Sequence, residues 1–248
     1  MIAFNSHINA SQNNTNATVC NICNSTNCLI HKINENFLDN TTSQNTIIKC
    51  KRTQQFIIEG APVNGLFFIK KGTVKVFRTG INGREQIVRF AKACEIIGHR
   101  GFGTQEYYSI GAIAIQDTEL YYFSKEYLQK ILLENPKFSY EMMLFYANEL
   151  NRSENKVKSI SQMTVRERVI DSLLYIHRKF GDLRGFLNLP LSRKEYADYA
   201  GTTEEQVIRV FSALKKERLI ITKGKKIAIN NLQSLKNEIS EHNYYLDL

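Results

Sequence analysis

Residues 191–230 read LSRKEYADYAGTTEEQVIRVFSALKKERLIITKGKKIAIN. Ser192-Arg193-Lys194-Glu195 has the Ser-x-x-Glu form of a capping box, in which two side chains satisfy backbone N–H groups left open at a helix start. A short helix follows through Tyr196, Ala197 and Tyr199, and Ala200-Gly201 breaks it. Thr202-Thr203-Glu204-Glu205 then offers a second start, for a helix running to about Glu217. Two helices this close, joined by a short turn containing Gly, form a helix-turn-helix pattern. At roughly 100° per residue, Val207, Val210, Phe211 and Leu214 share one face of the second helix. Glu205, Arg209, Ser212 and Lys216 share the opposite face. That outward set suits a major groove: Arg donates two hydrogen bonds to guanine, and Glu accepts from cytosine N4. Lys215 and Lys216 are placed to reach phosphates. The plain alternative is a surface helix with a charged outer face. The residues after the helix weigh against it. Arg218–Thr222 reads as a strand, Lys223-Gly224-Lys225 as a basic turn and Lys226–Ile229 as the return strand. A hairpin with Lys at its tip, directly after the helix, is the wing of a winged helix.

The charge distribution agrees. The chain has 248 residues, 33 Lys+Arg and 24 Asp+Glu, a formal net charge of +9. Residues 151–226 alone hold 17 basic and 9 acidic side chains, a net of +8. A localised basic excess points to a polyanionic partner. Double-stranded DNA is the expected one. An anionic membrane fits less well, because the charge surrounds a reading helix and a wing and not a basic amphipathic anchor. No apolar run is long enough for a transmembrane helix, and the first residues lack the basic and apolar regions of a secretory signal. Five cysteines do not make a disulfide scaffold, so a reducing cytoplasm is the expected compartment.

Upstream, residues 47–124 read as β structure. Short runs rich in Ile, Val, Phe and Tyr alternate with turns, as in Gly65–Ile69, Lys71-Gly72 and Thr73–Phe77. Nine of the 13 glycines fall between Gly60 and Gly111, which suits an antiparallel roll or barrel. Asn135-Pro136 opens a helix of about 28 residues. Along it Met143, Tyr146, Leu150, Ser153, Val157 and Ile160 form one narrow stripe. A narrow stripe on a long helix predicts a dimer seam, with a helix lying on its own domain as the alternative. Residues 164–183 read as a further amphipathic helix ended by Gly181 and Gly185. The expected architecture is α+β. A polar stretch (1–30) precedes an antiparallel β-roll sensor (31–134) and a dimerisation helix (135–163). A winged helix-turn-helix (164–232) and a tail (233–248) follow.

In this order the pieces resemble the CRP/FNR family of bacterial transcription regulators, over roughly residues 33–232. The matching residues are Glu59-Gly60-Ala61-Pro62, Gly65–Val76 and Ile97-Gly98 in the roll. In the DNA half they are Leu191-Ser192-Arg193, Gly201–Arg209 and Leu214–Glu217 with Leu219-Ile220. The resemblance implies a cyclic-nucleotide-binding-like roll, a homodimer, a pseudo-palindromic operator and RNA polymerase as a partner. The family's recognition helix reads Glu-x-x-(Ser or Gly)-Arg. Glu205 and Arg209 match its ends, and Ile208 departs from its middle. The expected DNA-contacting set is Ser192, Arg193, Thr203, Glu205, Gln206, Arg209, Ser212, Lys216, Lys223 and Lys225. The expected seam is Met143, Tyr146, Leu150, Val157 and Ile160.

The sensor has several candidate signals. Nucleotide-binding members carry Gly-Glu-Leu and a later Arg-Ser pair. Here Gly98-His99-Arg100 and Tyr108-Ser109 stand in those places. Losing the cation that pairs with the phosphate disfavours a cyclic nucleotide, although Arg100 lies nearby. His99, Arg100, Tyr108 and Ser109 are therefore the candidate effector-pocket residues, with an empty roll as the simpler reading. Oxygen-sensing members hold an iron–sulfur cluster on three N-terminal cysteines and a fourth in the roll. Cys20, Cys23 and Cys28 resemble the trio, with one spacer residue fewer, but the fourth place falls near Tyr121. Cys50 or Cys94 would have to stand in. Cys20, Cys23, Cys28 and His31 as a zinc site, His99 as a haem ligand, and three thiols with no metal are the alternatives. A non-DNA sensor built on the same roll is the competing function. An enzyme is not expected, for no nucleophile triad, phosphate-binding loop or His-Glu-x-x-His motif occurs.

Overall fold

The computed structural model describes Leu29, residues 46–102 and residues 106–242. Cys20, Cys23, Cys28 and His31 lie outside the described residues. The roll contains strands β1 (Thr46–Cys50), β2 (Gln55–Ile57), β3 (Gly65–Lys71), β4 (Thr73–Thr79), β5 (Glu85–Lys92), β6 (Ile96–Ile97), β7 (Gly111–Ala114) and β8 (Thr118–Ser124). They form two four-stranded antiparallel sheets, ordered β1-β8-β3-β6 and β2-β7-β4-β5. Inward side chains of both sheets meet in one apolar core, which includes Ile57, Ile69, Val74, Val76, Ile97, Ala112 and Leu120.

Two helices cover the first sheet. Helix α1 (Lys125–Glu134) starts on Ser124, whose hydroxyl accepts the Tyr127 N–H. Helix α2 (Pro136–Gln162) starts on Asn135, whose Oδ1 accepts from Phe138 N at 3.1 Å, and Pro136 occupies its first turn. Its 27 residues reach about 40 Å. Leu128, Ile131, Phe138 and Met142 pack on Leu66, Phe68 and Phe123 of the sheet. Helix α1 falls inside the stretch expected to be roll.

The second sheet is buried on its outer face too. Phe77, Ile87 and Phe90 join a core made by α3 (Val165–Phe180), α4 (Arg193–Ala200) and α5 (Glu204–Lys216). Along β4, Val74 and Val76 point into the roll and Phe77 points away. The outer face, though, meets protein and not water. Gly111 makes room for this arrangement, since a Cβ there would lie 2.5 Å from the Phe77 ring. Strand β5 is an edge strand, and α3 covers that edge. The Tyr175 hydroxyl donates to the Phe90 carbonyl at 3.1 Å and lies 3.2 Å from the Phe90 N–H, and Lys92 Nζ donates to the Lys179 carbonyl.

After α3 come a short hairpin, β9 (Asp182–Leu183) with β10 (Phe186–Leu187), then α4 and α5. The hairpin β11 (Ile220–Lys223) with β12 (Lys226–Ile229) follows. The chain then departs from expectation. Residues 233–248 do not begin as a tail: α6 (Leu232–Glu238) and a turn at Ser240–His242 fold back onto α3, with Leu235 and Ile239 buried in the core. Leu232, Leu235 and Ile239 have helical spacing, and the low charge of this stretch hid it.

Tyr175 supplies the side-chain partner for both backbone groups of Phe90. Tyr175→Phe should cost about 1–3 kcal/mol of stability, read as a lower urea midpoint at an unchanged m-value.

Candidate nucleic-acid interface

Helix α4 forms because its first turn is capped from both sides. The Glu195 N–H donates to Ser192 Oγ at 3.1 Å, and the Ser192 N–H donates to Glu195 Oε2 at 2.7 Å. Gly201 ends it in the left-handed region, φ +66°, where a side chain would be strained. Thr203 then caps α5 by accepting the Gln206 N–H at 3.4 Å.

The helical wheel of α5 is realised. Val207, Val210, Phe211 and Leu214 are buried, while Glu205, Arg209, Ser212 and Lys216 are exposed along its outer face. Ile208 is exposed beside them. The Glu205 carboxyl is held below the usual carboxylate range, first by its own backbone N–H, then by the Thr203 side chain and Arg209. It therefore stays an anionic acceptor at neutral pH. The Ser212 hydroxyl donates to the Ile208 carbonyl at 2.8 Å, so its lone pairs are what it offers outward. The wing hairpin forms as expected, but its first strand starts at Ile220 and takes in Lys223, which pairs with Lys226; Lys223, Lys225 and Lys226 are exposed.

Arg193 is placed differently from the other cations. Its guanidinium lies 4.6 Å from the centre of the Phe211 ring, and Nη2 donates to the Gly224 carbonyl at 3.2 Å. It thus ties the start of α4 to the recognition helix and to the tip of the wing. Burial pushes its pKa down. Sequence reasoning also missed Arg166. Its guanidinium binds both Glu217, at the end of α5, and Glu238 of α6, at 2.5–3.0 Å. A charged residue in an amphipathic helix gives no sign of a partner 51 or 72 residues away.

The four candidate effector residues do not form one site. His99 and Arg100 face α2, with Phe102, Tyr146, Glu149, Leu150 and Ser153, around a cavity of about 530 Å³. The Tyr108 side chain turns to a second, apolar groove and donates its hydroxyl to the Gly65 carbonyl at 2.8 Å. Ser109 lines neither. His99 and Glu149 are only 3% and 4% exposed, with Nε2 3.3 Å from Oε2. Arg89, Arg100 and Arg152 also surround this carboxylate. Burial alone raises the Glu149 pKa, but His99 and the arginines outweigh it and hold it well below the ordinary value. Burial is the larger influence on His99 and pushes its pKa down. Tyr146, expected on the dimer seam, is partly drawn into this site: its hydroxyl donates to the His99 carbonyl at 2.8 Å.

For a cluster, the described residues supply little. The Tyr121 side chain is a buried phenol, and Cys50 is sealed in the roll core with its thiol pushed up by burial, the wrong direction for a thiolate ligand. Cys94 lies half-buried beside the apolar cluster of the first sheet. Among the described residues, no group of three or more His, Cys, Asp or Glu side chains is arranged to hold a metal ion.

The His99 shift has a measurable sign. The unfolded chain binds the imidazole proton below about pH 6.5, and the folded chain resists it. Stability should therefore fall as pH drops from 7 to 5, by up to about 1.4 kcal/mol per pH unit from this group. His99→Gln should flatten that slope in urea titrations at the two pH values.

The comparisons with known proteins match this division. Residues 47–135 match the model of the cyclic nucleotide-binding domain, and residues 167–238 match the Crp-like helix-turn-helix domain. The chain is 27% identical over 183 residues to the transcriptional activator protein FnrA of Stutzerimonas stutzeri, covering 72% of this chain and 74% of that one. It is 26% identical over 216 residues to the fumarate and nitrate reduction regulatory protein of Salmonella typhimurium, covering 84% of each. Among solved structures it is similar to FixK2 from Bradyrhizobium japonicum, with a TM-score of 0.70 and 25% identity over 78% of this chain and 96% of that one. The two domain models match in the order in which roll and reading helix occur here, and relatives named as transcription regulators align over most of the chain, so the chain is similar to DNA-binding transcription regulators of the CRP/FNR type through both its sensor and its reading unit.

Proposed function

We propose that the chain works as a homodimer that reads a pseudo-palindromic operator with the α5 helix of each protomer. The observation that carries this reading is the division of α5 itself. One face is sealed in the core, and the other presents Glu205, Arg209, Ser212 and Lys216 to solvent. Arg209 and Glu205 read base edges. Thr203, Gln206, Ser212, Lys216 and the wing lysines Lys223 and Lys225 hold the phosphates and edges around them. Ser192 and Arg193 act on the same surface chiefly as a cap and a brace. The two helices enter successive major grooves about 34 Å apart.

The seam of the dimer is the outer stripe of α2. Met143, Leu150 and Val157 are 59%, 60% and 68% exposed, and Ile160 is exposed on the same line. An apolar line of this length in water marks a contact surface, and its spacing suits a two-helix seam. In this reading residues 31–134 form the sensor, 135–163 the dimer helix, and 164–232 with α6 the reading unit. The protein acts on DNA in the cytoplasm. The relatives named as transcriptional activators support RNA polymerase as a second partner. The cavity at His99 and Arg100, open to α2, is where a small effector reaches the seam. A cyclic nucleotide suits it poorly, with Tyr108 turned away.

Arg209→Ala should weaken specific operator binding by about 1–3 kcal/mol and relax the sequence preference at one position of each half-site. Lys225→Ala should weaken all sequences alike and lower the salt slope by about one unit per protomer. Gel shifts on selected and scrambled DNA across a salt series check both; an Arg209→Ala protein with unchanged affinity and preference refutes the assignment. Leu150→Asp with Val157→Asp should give monomers by sedimentation and lose the palindromic site.

A further inference from the structure

The end of α4 is where three other parts of the chain meet. A helix leaves its last carbonyls without partners inside the helix, and their dipoles favour cations. From the tip of the β4–β5 hairpin, Arg84 Nη2 donates to the Thr202 carbonyl at 2.5 Å. From β5, Gln86 Nε2 donates to the Asp198 carbonyl at 2.6 Å and lies 3.4 Å from that of Tyr199. From α2, Lys156 Nζ donates to the Tyr199 carbonyl at 2.9 Å and stands 3.9 Å from the centre of its ring. From α3, Arg168 Nε donates to the Ala200 carbonyl at 2.9 Å, while Nη1 donates to the Met163 carbonyl at 2.7 Å, just past the end of α2. Roll, dimer helix and reading unit are thus joined at one helix terminus.

We propose that Arg84, Gln86 and Lys156 are positioning residues that set the angle between the dimer helix and the recognition helix, and through it the half-site spacing that the dimer accepts. The inference rests on the dimeric reading above. Helix α4 packs directly on α5, with the Tyr196 and Phe211 rings 5.2 Å apart, so a tilt of α4 carries α5 with it. In a dimer joined through α2, the two recognition helices are fixed to one another only as well as each is fixed to its own α2. A stiff joint selects one spacing, and a loose joint accepts several. The contact does not mask the recognition face, whose outward residues stay exposed. It therefore aims the helix and does not hide it.

The test uses the full chain and an operator selected from random DNA with the wild type. Binding is measured by fluorescence anisotropy at fixed salt on that operator and on versions with one or two base pairs inserted between the half-sites. The wild type should lose about tenfold or more on the two-pair insertion, a penalty the size of a lost base contact. Arg84→Ala with Gln86→Ala should lose no more than about threefold there, and should bind the parent operator more weakly than the wild type. Arg84→Lys should restore part of the penalty, since it keeps the charge. Both changes lie on the hairpin of an otherwise intact roll, and an unchanged wild-type-like α2 dimer by sedimentation verifies the fold. A double variant with the full wild-type penalty, or one that binds the parent operator more tightly, overturns the positioning role. A wild type that sediments as a dimer yet is indifferent to spacing overturns the positioning role, and a wild type that sediments as a monomer overturns the dimeric reading itself.

Discussion

The second sheet of the roll is apolar on both faces, and the rest of the molecule is arranged around that constraint. One face closes the roll. The other, through Phe77, Ile87 and Phe90, needs a cover and finds it in the helices of the reading unit. Burying large apolar side chains contributes roughly 1.5–3 kcal/mol each, so the cover is not incidental. It also satisfies the free edge of β5 at Phe90 through Tyr175, and the Lys92 side chain on β5 in turn binds the Lys179 carbonyl of α3. Sensor and reader are therefore not beads on a linker. They share a core within one chain, and the first helix of the reader is oriented by what the roll presents to it.

Much of this was legible in the sequence because local rules carried it. The capping box at Ser192 and Glu195, the Gly201 turn and the face of Val207, Val210, Phe211 and Leu214 depend on residues no more than a turn or two apart. The long helix from Pro136 was readable for the same reason. The hidden features depend on partners far along the chain. Phe77 on the outside of a strand gives no sign of the helices that cover it. His99 looks like a loop residue until Glu149 arrives from α2. Tyr108 and Ser109 follow His99 closely in sequence, yet the fold points Tyr108 into a different groove.

The charge distribution changes meaning in the same way. The basic excess of residues 151–226 reads, in the sequence, as one patch for a polyanion. In the fold, Lys156, Arg166, Arg168, Lys179 and Arg193 direct their charge inward, to helix ends, carboxylates and ring faces. Arg209, Lys215, Lys216 and the wing lysines are left exposed on or near the reading surface. Nonspecific attraction to DNA thus rests on fewer cations than the net charge suggests, and the remainder hold the reading helix where it can be specific.

The Arg166 tie bears on how the chain is made. Its two carboxylates come from the end of the recognition helix and from α6, and α6 also brings Leu235 and Ile239 into the core. During synthesis the recognition helix is complete well before residues 232–238 emerge. Until they do, Arg166 lacks one of the two carboxylates it binds, and the part of the core that Leu235 and Ile239 fill lies open. A growing chain can form the roll early, but it gains a firmly seated reading helix only after the wing and α6 have been added, so readiness to bind DNA comes last.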